Sequence, residues 1–588
     1  MQSAETVLNV LRERGRRGLS CDELYRQLFN PQLYLLAYGR IYANDGAMTA
    51  GVDGETADGM SERKIGRIID ALRHERFRFE PVRRVYIPKK NGKKRPLGLP
   101  SWADKLVGEV MRLLLEAYYE PRFSARSHGF RPRRGCHTVL TEVAETWKGT
   151  AWFVEGDISD CFGSLDHEVM LSILAEHIRD NRFLRLLRNM LKAGYLEDWV
   201  YHATLSGAPQ GGVISPILSN VYLDRLDKFV ETVLIPEYTR GDLRRPSREY
   251  ERVRAAATSA YQRGDRKRAS ALRKQTRRLP SKDPQDPGYR RLRYCRYADD
   301  HLLGFTGPRA EAEQIKARLA AFLHDDLKLE LSAEKTLITH ARTGAARFLG
   351  YEITAQHSQV RRRVNGVIGL RVPRDVIASK CAPYLKLGQP EFRADRINFD
   401  DALIVSTYGS EYRGLVQYYL LAGDVSRLRR FRWCAETSML KTLAAKHRTT
   451  VTKMARKYQA VVATPHGRRV CFQVVTERAG RKPLVARFGG IPLKRQKRAV
   501  IDDRIIAPIN SRRRELVTRL QKRWCELCDK WAREVEVHQI PKIADLTKIR
   551  EPQPTWARIM AKRRRKTLVV CKPCHDTIHD RQPTTLMR

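Results

Sequence analysis

No stretch of this 588-residue chain approaches the ~18–20 apolar residues of a membrane-spanning helix, so a bilayer span is not expected. The opening MQSAETVLNVLRERGRRG lacks the continuous apolar core of a secretory signal, which makes a reducing cytoplasm the expected compartment. Acidic side chains are scarce: 66 Asp and Glu stand against 111 Lys and Arg, a formal net charge of +45. Such an excess favours a polyanionic partner, and a phosphate backbone is the simplest one. A disulfide framework is missing as well. Seven of the eleven cysteines (Cys21, Cys136, Cys161, Cys295, Cys381, Cys434 and Cys471) stand singly and read as small buried apolar residues. The other four form two CxxC pairs, Cys525/Cys528 and Cys571/Cys574, which is the spacing of a metal site.

What the chain does have is organised around Arg293–Phe305, RYCRYADDHLLGF. Two apolar runs flank a short break that carries Asp299 and Asp300, the pattern of a tight hairpin. Side chains alternate faces along a strand, so adjacent acids can be aimed at one cation only from a turn. A solvated Asp-Asp turn is the plain alternative, and a third acid elsewhere decides between them. Trp152–His167, WFVEGDISDCFGSLDH, supplies it: an apolar run leads into Asp157, with Ile158 next and Phe162 five residues beyond the acid. A carboxylate set suits Mg²⁺, a hard cation that prefers oxygen ligands.

These two segments resemble motifs A and C of a reverse transcriptase palm. The resemblance implies that Asp157, Asp299 and Asp300 hold a pair of Mg²⁺ ions, and that Ile158 and Phe162 border the incoming nucleotide, Phe162 as the gate against a ribose 2′-hydroxyl. Other segments follow in the family's order. Residues 1–60 resemble an N-terminal extension. Val85–Leu99, VYIPKKNGKKRPLGL, reads as a basic hairpin in which Lys89 and Arg95 would grip the triphosphate of a dNTP. Ser127–Gly135 carries Arg131, Arg133 and Arg134, expected along the template backbone. Gly207–Asn220, GAPQGGVISPILSN, resembles motif B, with Gln210 and Gly211 against the nascent pair. The alternating Leu327–Thr336 ends near Lys335, the counterpart of a lysine that protonates pyrophosphate. Between motifs B and C, about 236–291, lies a basic insertion expected to form one or two polar helices.

Beyond the palm, expected over 61–365 together with the fingers, residues 366–465 turn helical and basic. YRGLVQYY (412–419) resembles the thumb called domain X in intron maturases, where rings stack on bases and cations meet phosphates. Residues 466–515 read as a short β-rich extension and a basic linker that contacts DNA. In 516–588 the four cysteines predict a structural tetrahedral Zn²⁺ site. His538, His575 and His579 resemble the ligands of the cation site in an HNH endonuclease, with His538 as a candidate catalytic group. Two departures stand out. The second histidine of the usual pair is Gln539, which cannot take up a proton at neutral pH, and no asparagine follows Asn510.

The expected fold is multidomain α+β: a right-hand polymerase with an antiparallel palm sheet, an α-helical thumb, and a small zinc-stabilised ββα-metal HNH-like domain. The resemblance to group II intron-encoded proteins implies RNA-directed DNA polymerase and maturase activities. It also implies partnership with intron RNA and target double-stranded DNA, and a bacterial cytoplasm with nucleoid association on target DNA. One copy or a homodimer on each intron RNA remain open at this point. Two alternatives stand beside it: a reverse transcriptase of a defence or diversification system, and an RNA-binding splicing factor without polymerase activity. The HNH-like tail speaks against the first and the intact acids against the second.

Overall fold

The computed structural model describes residues 2–88, 92, 94–207, 212–283, 286–358, 364–465, 467–478, 481–499, 511–548 and 552–580, and these build a mixed α/β molecule. Helix α1 (Pro31–Ile41) starts where the Asn30 side chain accepts from the Gln32 backbone N–H and Pro31 fixes the first turn. Strands β1 (Val82–Pro88) and β2 (Lys94–Leu99) pair antiparallel as the basic hairpin. Helix α2 (Trp102–Tyr119), capped by Ser101, buries Trp102, Leu106, Val110, Leu113 and Leu114 at the centre of the largest core.

The central sheet is four-stranded. Strand β3 (Trp152–Gly156) lies between β5 (Asp300–Thr306) and β6 (Leu337–His340), and β4 (Arg291–Tyr297) pairs with β5 at the edge, all antiparallel. Alternation divides the sheet between two cores. Val154 and Leu303 join the largest core, to which α2 and α3 (Ser215–Phe229) also contribute, while Phe153, Cys295 and Leu302 join a second core. The insertion forms two helices, α4 (Arg248–Gln262) and α5 (Arg266–Thr276), each started by a capping side chain, Ser247 and Asp265. Leu327–Thr336 does not become a strand despite its alternation. Turns interrupt it, and it makes a single bridge, Leu331 to Ile158.

The second core is filled largely by α6 (Asp401–Tyr418) and α7 (Arg429–Lys446). Ser438–Tyr458 is broken after Lys446, and α8 (Val451–Tyr458) restarts on a Thr450 cap. A three-stranded meander follows, β7 (Gln459–Thr464), β8 (Gly467–Arg478) and β9 (Arg481–Gly489), with Phe488 returning to the second core.

The tail contains α9 (Ser511–Gln521), strand pair β10 (Val535–Gln539) and β11 (Thr567–Cys571), α10 (Thr555–Arg563) between them, and α11 (Lys572–Asp580) after. Leu568 and Val570 join a small core with Trp556 and Met560. Val535, Val537 and Val569 point the other way, into the largest core of the molecule. Met60 and Val537 form a backbone bridge, so the tail is seated against the N-terminal segment. No described helix is long and apolar enough to cross a membrane.

Candidate active site and metal centres

The acids meet at one end of the central sheet. Tyr297 pairs with Asp300 in the β4–β5 register, which leaves Ala298 and Asp299 as the hairpin turn. Ala298 adopts φ +57°, a conformation costly for a residue with a Cβ. Gly129 makes the turn possible: a Cβ there would lie 2.1 Å from the Ala298 nitrogen. Asp157 follows the last residue of β3, and Gly156 beside it leaves room for the buried His301 ring, since a Cβ would fall 1.9 Å from its Nε2. Burial holds the His301 imidazole down at about 4, so it stays neutral behind the acids.

Crowding of the carboxylates is evident in their protonation. Asp299 is raised by burial and by Asp157, and Asp300 is pushed up to about 7 by burial, then by Asp299 and Asp157. Cationic compensation comes from Lys335, whose ammonium donates to Asp157 Oδ2, and from Arg95, which faces Asp299 closely enough to lower it. Lys335 and Arg95 are thus the cationic side chains set against the three acids. The Phe162 ring packs edge-on against Phe130 at 6.3 Å between centroids, and Ile158 is buried beneath. Lys89, Gln210 and Gly211 lie outside the described residues.

The turn rests on a buried network that sequence reasoning missed. Arg296, fully buried, pairs with equally buried Asp227 at 2.6 Å and donates to Ala298 O at 2.8 Å and Ser127 Oγ at 2.9 Å. Tyr294 donates to the same Asp227, and Asn220 donates to Gly129 O. The available signal was Asn220, Asp224 and Asp227 at helical spacing on one side of α3, all three buried.

Two readings of side-chain availability are corrected. Arg131 is buried and spent on Glu120 and the carbonyls of Ser124 and Ser127, and Arg134 donates to Ala125 O and Ser127 O, so of the three arginines only Arg133 is exposed. The aromatic residues of 412–419 are structural: Tyr412 is buried, while Tyr418 and Tyr419 donate to Leu349 O and Gly350 O. Those rings are not free to stack on bases.

In the tail, the sulfurs of Cys525, Cys528, Cys571 and Cys574 lie within 4.8 Å of one another. Burial opposes the Cys525 thiolate, yet backbone N–H groups of Cys528, Cys571 and Leu527 bring it down to about 7. Four thiols with one already eased toward thiolate suit Zn²⁺. His538, His575 and His579 converge too, and a residue far away in sequence joins them: Asp58. Burial would raise the Asp58 carboxyl, but contacts from the three histidines hold it below the usual carboxylate range. Gln539 faces the N-terminal segment, its backbone N–H on Asp58 Oδ1 at 2.6 Å and its amide on Tyr42 O at 2.8 Å.

A sheet that presents clustered acids at a hairpin, followed by a helical region and a cysteine-clasped tail, defines a reverse transcriptase with appended modules. Family models agree: residues 87–353 match reverse transcriptase (RNA-dependent DNA polymerase), 372–477 match type II intron maturase, and 525–575 match an AI2M/AI1M-like HNH endonuclease. The chain is 37% identical to the group II intron-encoded protein LtrA of Lactococcus lactis subsp. cremoris, across 94% of each. It is 31% identical to a 91 kDa protein in the cob intron of Schizosaccharomyces pombe, over 98% of this chain and 73% of that one. A putative COX1/OXI3 intron 1 protein of Saccharomyces cerevisiae shares 34% identity over 73% of this chain and 54% of its own. The chain belongs to the group II intron-encoded proteins, as a maturase with reverse transcriptase and HNH-type domains.

Proposed function

We propose that this RNA-directed DNA polymerase copies its own intron RNA into cDNA at a DNA target site, and that the same chain binds the intron RNA to assist splicing and reverse splicing. The observation that carries the reading is the convergence of Asp157, Asp299 and Asp300 at the end of the central sheet, with Lys335 on Asp157. Two Mg²⁺ ions held by those acids would supply the charge that activates a primer 3′-hydroxyl and neutralises the leaving pyrophosphate. Lys335, held on Asp157, would leave it for a phosphate oxygen and deliver a proton there. Arg95, with Lys89, meets the triphosphate; Ile158 and Phe162 border the sugar; Gln210 and Gly211 line the base pair.

In this reading, residues 1–60 are an extension, 61–365 the fingers and palm, 366–465 the thumb, 466–515 a DNA-contacting region and 516–588 the zinc tail. RNA contact is supported by a groove of about 1990 Å³ between the insertion helices and the central sheet, lined by Arg254, Arg273, Lys274, Arg277, Arg278 and Arg342. Guanidinium and ammonium groups in such number suit phosphates. The tail binds target duplex, and the protein reaches the nucleoid when it does. Sizing of the RNA-bound protein distinguishes one copy from a homodimer.

Primer extension on an RNA template, run beside a splicing assay, tests the proposal. Asp299→Ala is expected to abolish cDNA synthesis and leave splicing largely intact. cDNA made at the wild-type rate by that variant overturns the assignment.

A further inference from the structure

We propose that Asp58 of the N-terminal segment and His538, His575 and His579 of the tail form one tetrahedral site for a divalent transition-metal cation, which clasps the tail to the polymerase region. The inference rests on side chains of both regions and goes beyond any cation held by the tail alone.

The geometry fits a small ion. Asp58 Oδ1 lies 3.3 Å from His538 Nδ1 and 3.4 Å from His575 Nε2. Asp58 Oδ2 lies 2.8 Å from His579 Nε2, and the two helix histidines face each other at 3.3 Å between Nε2 atoms. A tetrahedron with metal–ligand bonds of ~2.0–2.1 Å has edges of about 3.3–3.4 Å, matched by the two Asp58 Oδ1 separations and the Nε2–Nε2 separation, and all four candidate ligand atoms lie within 4.8 Å of one another. His538 supplies an independent pointer: it is 1% exposed, its Nδ1 faces only the Asp58 carboxylate, and its buried Nε2 has no hydrogen-bond partner. Buried imidazoles are rarely left so, and a metal bond satisfies one nitrogen. Glu536 completes the pattern by accepting from His575 Nδ1 at 3.1 Å, which fixes the tautomer that turns Nε2 inward. Three imidazoles and one carboxylate select zinc-like cations over Mg²⁺.

Position explains the consequence. Asp58 comes from the same segment that bridges β10 through Met60, and Arg63–Glu534 and Arg523–Glu62 ion pairs flank it. With Asp58 in the fourth corner, the ion has no open position for water, and Gln539 docks on Tyr42 in place of a base. The site therefore clasps the two regions together.

Metal content of the purified full-length chain, loaded with Zn²⁺ and desalted, tests this. Wild type is expected to retain two ions per chain, Asp58→Asn one, and Cys571→Ser with Cys574→Ser one, the Asp58 site remaining. Hydrogen exchange at the Gly59 and Val537 amides, which bond across the junction, provides a second readout. Exchange there is expected to quicken at least tenfold in Asp58→Asn, while the amides of β4 and β5 stay protected and so report that the rest is folded. Retention of only one ion by wild type overturns the proposal, as does retention of two by Asp58→Asn or unchanged exchange at the junction. None of these outcomes depends on cDNA synthesis, so failure here is distinct from failure of the polymerase assignment.

Discussion

Arg296 is the residue on which the catalytic turn hangs, although it touches no substrate. Its charge is fully buried and is balanced chiefly by the equally buried Asp227. Removing one partner of such a pair strands the other, at a cost of about 3–5 kcal/mol. Asp227→Ala is accordingly expected to lower the unfolding free energy by that order and to cripple cDNA synthesis, measured by denaturant unfolding and primer extension together. Asp300 gives a pH signature. Its carboxyl, pushed up to about 7 by burial and its acidic neighbours, keeps a proton in the folded chain that an unfolded chain releases near ~3.9. The folded state thus binds more protons between about pH 4 and 7, so stability without added Mg²⁺ falls as pH rises through that window. Thermal melting should show this slope in wild type, and Asp300→Asn should flatten it.

At the scale of elements, the β4–β5 hairpin works because Gly129 yields space to it. Gly129→Ala would press a methyl into the Ala298 backbone, and primer extension is expected to drop by at least an order of magnitude while the tail keeps its metal. The hairpin itself was legible: apolar alternation around Asp299–Asp300 predicts it, and the structure places both acids beside Asp157. The CxxC pairs were equally readable, because the spacing sets two thiols side by side in each pair, and the fold then joins the pairs. The fates of Arg131, Tyr418 and Tyr419 were not. A buried arginine and an exposed one are identical letters, and only the tertiary partner, here Glu120 or a turn carbonyl, decides which it is. Asp58 was hidden for a related reason. It sits in a turn-rich stretch, GAMTAGVDGETAD, whose local pattern says loop, while its partners come from the other end of the chain.

The whole molecule carries +45 formal charges, and much of that excess lines surfaces such as the groove beneath the insertion helices. Binding of intron RNA is expected to weaken steeply and linearly in log K against log salt. Paired reversal of Arg273 and Arg277 to Glu should reduce both affinity and slope in filter binding, without altering the melting temperature of the free protein. The seated tail has a different consequence, for biosynthesis. Asp58 and Gln539 are 481 residues apart, and Val535, Val537 and Val569, with Leu516 and Leu520, join a core otherwise built from residues no later than Leu329. A ribosome would finish the N-terminal segment long before its covering strand emerged, leaving Met60 and its neighbours uncovered throughout synthesis. Chains that lacked the strand would keep that apolar surface exposed to water.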